Sequence, residues 1–210
     1  MPEPEAPREL RGLVPFEIAA VLALAIAPLP GAVPVAAPLF AVASASRWLR
    51  GRTWGEVLGD GGFPAGVGFA AGLAALVIAL VAGGPFVEMM SGRTVEWSMF
   101  PMVRGSATQL VLVALIEIAL GIAWELSLRG WLVERLRELS PGPPVLPVLV
   151  GAIAEAILVP GDLAVRIGAG LFGAGLGWMY VAGGGAIAPI CARIGFALGA
   201  LLLEAVRLIG

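Results

Sequence analysis

Glu125 and Arg129 lie one helical turn apart within Trp124-Glu125-Leu126-Ser127-Leu128-Arg129-Gly130, at the end of a long apolar run. A charged side chain at the centre of a bilayer costs about 2.5–3.5 kcal/mol on insertion scales, so an intramembrane carboxylate with a guanidinium at i+4 marks a candidate site. The chemistry open to it is narrow. Carboxylates can split acid and base roles and so activate water, or carboxylates and guanidiniums can neutralise one another. The chain has no histidine, and all thirteen of its basic residues are arginine. Ser127 and Cys191 therefore have neither a histidine nor a lysine to activate them as nucleophiles. A zinc site wants imidazole, thiolate or several carboxylates, so no metal and no cofactor is expected. Glu117 lies two turns before Glu125, about 80° away around the helix at 3.6 residues per turn.

The elements that hold these residues follow from composition. Of 210 residues, 59% are hydrophobic and 13% charged, with mean hydropathy +0.96. A soluble domain of this size has no use for that much apolar surface, so the class is an all-α, polytopic transmembrane bundle of about 7–8 helices. The alternating short strands of a membrane barrel are absent from the sequence. Net charge is −2, and nothing resembles a basic nucleic-acid surface. No polar linker separates two cores, so residues 13–210 read as one domain behind a polar tail, residues 1–12. That tail carries Glu3, Glu5 and Glu9, which argues against a signal peptide.

Leu13–Ala27 and Val33–Ala45 read as a short helical hairpin about Pro28-Leu29-Pro30-Gly31. Pro64–Gly83 has no charge and reads as a span; a polar stretch with Glu88, Arg93, Glu96 and Arg104 follows as an interfacial loop. Ala107–Trp124 forms the next span and runs on through Glu125 to about Leu139, where Ser140-Pro141-Gly142-Pro143-Pro144 stops it. Val145–Val159 reads as a further span, and Ile167–Val181 as another whose Gly173 and Gly177 permit close helix contact. Ala186–Ile209 is one long helix or two half-helices. Glu17 and Glu204 are expected near helix ends at the interface, with Tyr180 and the tryptophans as interfacial anchors. A cytoplasmic N-terminus puts Arg8, Arg11, Arg47, Arg50, Arg52, Arg129, Arg135 and Arg137 inside, against Arg93, Arg104 and Arg166 outside.

The Glu125–Gly130 stretch resembles the first motif of the CPBP family, the CAAX-protease and bacteriocin-processing (Abi) intramembrane proteases. That motif is Glu-Glu-x-x-x-Arg-Gly; here Trp124 replaces the first Glu, while Glu125, Arg129 and Gly130 match. Trp54-Gly55-Glu56-Val57-Leu58-Gly59 before a span resembles the family too. So does Gly173-Ala174-Gly175-Leu176-Gly177-Trp178-Met179-Tyr180, followed by Gly185-Ala186-Ile187-Ala188-Pro189-Ile190. The similarity covers roughly residues 50–205.

The resemblance implies a helical bundle around a polar cavity, in a bacterial cytoplasmic membrane. In the family a motif Glu activates water and histidines from two later helices complete the site. Here Glu155 stands about where the second motif has its His, Arg193 where the third has His, and Ala197 where the third has Asn. Glu125, Arg129 and Glu155 thus occupy the catalytic motif positions, and Glu117, Trp124 and Arg193 are the expected lining of the cavity. Nearby arginines would keep both carboxylates ionised, so two ion pairs, Glu125–Arg129 and Glu155–Arg193, are expected where a catalytic centre would be. The functional expectation is a non-catalytic pseudoprotease holding a membrane-embedded or lipidated peptide, or an active CPBP homologue. An endopeptidase working through Glu125 and Glu155 is the first alternative. A small transporter or channel subunit is the second.

Overall fold

The structure, a computed structural model, describes residues 12–26, 34–59, 63–92, 100–103, 106–139 and 142–206. All regular structure among them is helical, in eight helices when each π-interrupted run counts once. In chain order these are α1 (Val14–Ile26), α2 (Ala36–Leu49), the short α3 (Gly55–Leu58) and α4 (Ala65–Ile78), which passes through a π-helical turn, Ala79–Gly83, into α5 (Gly84–Ser91). Next come α6 (Ala107–Glu125), a π-helical run Leu126–Val133, and α7 (Glu134–Leu139). The chain closes with α8 (Val145–Leu158), α9 (Leu163–Gly183) and α10 (Ile187–Val206). The polar N-terminal tail to Arg11, the Pro28–Gly31 turn and the charged residues Arg93, Glu96 and Arg104 lie outside the described residues.

Four runs are long and apolar enough to cross a bilayer: Ala65–Met90, Ala107–Leu139, Leu163–Gly183 and Ile187–Val206. This is an integral membrane protein. The expected span at Val145–Val159 is shorter than a crossing: the 14 residues of α8 reach about 21 Å against roughly 30 Å of hydrocarbon. Three other expectations shift. Glu88, Met89 and Met90 belong to a helix rather than a loop, because Gly83-Gly84-Pro85 is passed by a π turn followed by a proline in the first turn of α5, where a missing N–H costs nothing. Helix α9 starts at Leu163, four residues early, because the Asp162 carboxylate accepts from the Val165 N–H at 3.0 Å and caps it. The C-terminal apolar run is a single helix, with Pro189 tolerated in its first turn.

The closest helix contact joins α4 to α10, and glycine makes it possible. A Cβ on Gly68 would lie 2.2 Å from the Ala188 carbonyl oxygen, one on Gly72 would lie 1.9 Å from that of Ala192, and one on Gly195 would lie 2.6 Å from that of Phe69. Gly68, Gly72 and Gly195 thus let the two backbones touch, while Gly199 seats the Leu73 and Leu76 side chains, the small-residue solution for helices that gain no hydrophobic drive from lipid. On the other side, α1, α2, the π run and α8 share a core of Val21, Leu39, Ala43, Leu128, Trp131, Leu132, Ala154 and Leu158.

Trp131 is part of that core, 1% exposed, with its indole N–H donating to Ser46 Oγ at 2.8 Å. Interfacial anchoring fits Trp48 and Trp178, which are largely exposed, but not Trp131. Glu17 lies in the first turn of α1 and pairs with Arg50 at 2.6 Å, and Glu204 lies near the end of α10, buried in the protein.

Candidate functional site

The π run sets the site. Its eight residues, Leu126–Val133, are all buried, and i→i+5 bonding winds the backbone wider than an α-helix. Arg129 keeps an i,i+4 ion pair with Glu125; its Nε stands 3.4 Å from Glu125 Oε2. The same guanidinium reaches across to α8 and α9, where Nη2 donates to Glu155 Oε2 and, at 2.7 Å, to the Gly173 carbonyl.

Arg193 on α10 completes the arrangement. Its Nε donates to Glu125 Oε1 at 2.5 Å and its Nη2 donates to Glu155 Oε1. One planar fork therefore holds two carboxylates from two helices, which an ammonium, a point charge on a flexible stem, would do less well. The two expected pairs are instead one closed quartet: each arginine touches both glutamates, and each glutamate touches both arginines. Glu125, Arg129 and Glu155 are at most 1% exposed, and the Arg193 side chain is 20% exposed. With two carboxylates and two guanidiniums the quartet is neutral, the condition under which buried charge is tolerable.

One glycine makes room for it, and two more line its surroundings. A Cβ on Gly173 would lie 2.5 Å from Glu155 Oε2 and 3.0 Å from Arg129 Nη2, so that position admits no side chain while the pair is formed. Gly121, one turn before Glu125, has the Arg193 Cγ and Cδ 3.6 Å from where its Cβ would be. Gly130 accommodates Val57 of α3, whose Cγ1 would be 2.4 Å from a Cβ there. That contact gives the Gly of the first motif and the Trp54–Gly59 segment a common physical cause. Gly173 was legible only as a helix-packing glycine; its contact with the ion pair carries no sequence mark.

Of the expected cavity residues, Trp124 sits with its ring centroid 5.5 Å from the Arg193 guanidinium, and Phe172 of α9 flanks the same cation at 5.6 Å. Phe196 packs against Phe172 as a tilted pair, ring centroids 5.2 Å apart. Glu117 lies apart from the quartet. It shares the inward stripe of α6 with Gly121, Trp124 and Glu125, and it is partly exposed.

A second charge cluster lies at the other end of the π run. Arg47 donates to Glu134 and, at 2.5 Å, to the Thr53 carbonyl, and its guanidinium lies 5.0 Å from the Trp54 ring centroid. Arg52 also donates to Glu134, and Arg135 holds Glu138 through 2.6 and 2.7 Å bonds. The Thr53 N–H donates to Glu56 at 2.8 Å, holding that carboxyl below its ordinary value of 4.5 at the start of α3. These contacts tie α2 and α3 to α7 and engage Arg47, Arg52 and Arg135, three of the eight arginines counted on one side.

The quartet offers little to the reaction that its position suggests. Guanidinium N–H groups donate to Glu125 Oε1 and to both Glu155 oxygens, while Glu125 Oε2, 3.4 Å from Arg129 Nε, is buried with no hydrogen-bond partner among the described residues. The same oxygens are the ones a divalent ion would need, and no imidazole exists in the chain to replace them. The donor set does not fit a metal.

Residues 106–199 match the family model described as Type II CAAX prenyl endopeptidase Rce1-like. The match runs from the start of α6 into α10 and contains all four quartet residues; it is narrower than the 50–205 expected from motif order. No curated protein and no solved structure matches the chain.

Proposed function

We propose that this membrane protein, whose residues 106–199 match the family model described as Type II CAAX prenyl endopeptidase Rce1-like and carry the arginine–glutamate quartet, is a non-catalytic relative that binds where such endopeptidases cut. It holds a membrane-embedded or lipidated peptide, or an active homologous protease. The observation that carries the reading is Arg193, whose fork engages Glu125 and Glu155 together. Proteolysis needs a group that accepts a proton from water and returns one to the leaving amine. Here both carboxylates are engaged, and no histidine, lysine or activated thiol is available to substitute. What the quartet does well is fasten α6, α8, α9 and α10 around one point.

Reconstitution in liposomes with a fluorogenic prenylated CAAX-type peptide and an unmodified transmembrane peptide tests this. The proposal expects saturable binding of at least one of them and no cleavage product. Cleavage that disappears in Glu125→Gln and Glu155→Gln would overturn it and establish the two-carboxylate endopeptidase.

A further inference from the structure

The charge cluster beyond the π run is short of acceptors. Arg135, on α7, is fully buried, and its Nη1 donates to both Glu138 oxygens at 2.6 and 2.7 Å. Its Nε and Nη2 have no hydrogen-bond partner among the described residues, and neither has Arg47 Nε. The carboxylates nearby are already engaged. Glu134 is held by Arg47 and Arg52, and Glu138 lies 3.5 Å from Arg52 as well as on Arg135. Arg47, Arg52 and Arg135 are matched in number by Glu56, Glu134 and Glu138. Arg137, exposed on the same helix, adds a further positive charge.

Shape and depth together identify the acceptor this cluster lacks. Nε and Nη2 form one edge of a guanidinium, two parallel N–H groups that match two oxygens of an anion. A charged donor left without an acceptor in the interior is costly, and an anion at this edge offsets that cost. The run Ala107–Leu139 has 33 residues, about 50 Å, against about 40–45 Å for a bilayer with its headgroups. A run that long carries its charged last turns into the headgroup layer, where every phospholipid places a phosphate. We infer that Arg135 binds a phosphate through its Nε–Nη2 edge, the surplus charge of Arg137 favouring an anionic headgroup. The guanidinium is closed off, so the phosphate reaches it as the partly exposed Glu138 and Arg52 side chains beside it move aside. A lipid headgroup and a free phosphate share this chemistry, and the experiment separates them.

The test uses the full chain, purified in mild detergent and stripped of lipid. Its three probes are dioleoylphosphatidylglycerol, dioleoylglycerol, which has the same chains and no phosphate, and inorganic phosphate. Native mass spectrometry reads the lipid retained, and thermal unfolding reads the stabilisation. The expected result is one phosphatidylglycerol retained per chain with a raised midpoint, and neither effect from dioleoylglycerol. Arg135→Lys keeps the charge and loses the edge, so retention should weaken about tenfold or more, in line with charge-assisted hydrogen bonds. Arg166→Gln, at the start of α9, should leave retention unchanged. Glu138→Gln removes the nearest competing anion and should tighten retention, which keeps the inference testable if the Lys variant does not fold. A midpoint raised by inorganic phosphate, with no lipid retained, would assign the same edge to a free phosphate and support the site. Equal retention of the two lipids, or phosphatidylglycerol binding unchanged in Arg135→Lys, would overturn it. So would the absence of any effect from all three probes, which would leave the edge to water.

Discussion

Arg193 and Glu125 stand 68 residues apart in sequence and are joined by a 2.5 Å bond from Nε to Oε1. The contact ties α10 to the point where α6 passes into its π run, and through the second arm of the same guanidinium it ties both to α8. The following outcomes are expected if that contact organises the protein as described.

Removing the cation should be costly. Arg193→Leu leaves two buried carboxylates sharing Arg129, and breaking a buried pair by deleting one partner costs about 3–5 kcal/mol. Arg193→Lys should recover part of that, because an ammonium keeps the charge but loses the fork. Thermal unfolding in a mild detergent gives the order wild type, then Lys, then Leu. Indistinguishable midpoints would show that the quartet contributes nothing to stability.

Exchanging the charges should not repair the site. In an isolated pair, Glu155→Arg with Arg193→Glu would restore stability lost in either single change. Here the guanidinium placed at position 155 would face Arg129, and the carboxylate placed at position 193 would face Glu125. The double variant is therefore expected to be no more stable than the better single one. Recovery to wild-type stability would reduce the quartet to two independent pairs.

Small glycine substitutions separate the packing contacts. Gly173→Ala should lower stability by about 1–3 kcal/mol, since its methyl would overlap the Arg129–Glu155 pair. Gly175→Ala, two residues on with nothing within 4 Å, should stabilise α9 by up to about 0.5–1 kcal/mol. Gly72→Ala should be worse than either because its methyl meets backbone rather than a side chain. Equal midpoints for the Gly173 and Gly175 variants would contradict the close approach.

Glu56 gives the site outside the spans a small pH dependence. Its carboxyl is held down first by the Thr53 N–H, against desolvation, and then by the Thr53 hydroxyl, Arg47 and Arg52. A carboxyl with a depressed folded value stabilises the fold above its ordinary 4.5 and loses that contribution as pH falls below 4.5 through the folded value. Its side chain is 53% exposed, so solvent screens the effect and the contribution is slight. Glu56→Gln should flatten that acid-side loss and leave neutral-pH stability little changed; an unaltered acid limb would mean that the Thr53 contact is not kept in solution.

Much of this was legible in the sequence, for identifiable reasons. Hydropathy located the spans, and Glu125, Arg129 and Gly130 carried the family motif, because both rest on local residue types. The quartet was half legible. The four residues could be named from motif order, but their cross-connection lies in the fold, and a stretch buried along its whole length, such as Leu126–Val133, leaves no period by which i→i+5 winding could be told from α. The fit of Gly68 and Gly72 against Ala188 and Ala192, and of Gly195 against Phe69, was missed for a different reason. Each Gly-x-x-x-Gly is visible alone, but a helix–helix contact takes two, and their pairing across more than a hundred residues is a property of the fold. Trp131 was assigned to interfacial anchoring by residue type, and tertiary packing buried it instead.

The central claim is that this chain binds without cutting, and the most direct measurement is to purify it from its native membranes in mild detergent and identify by mass spectrometry what stays bound. The account predicts an intact membrane peptide, or a histidine-containing homologous protease, in near-stoichiometric yield. Trimmed peptides sharing one cut site, with no protease partner present, would contradict it and return Glu125 and Glu155 to catalysis.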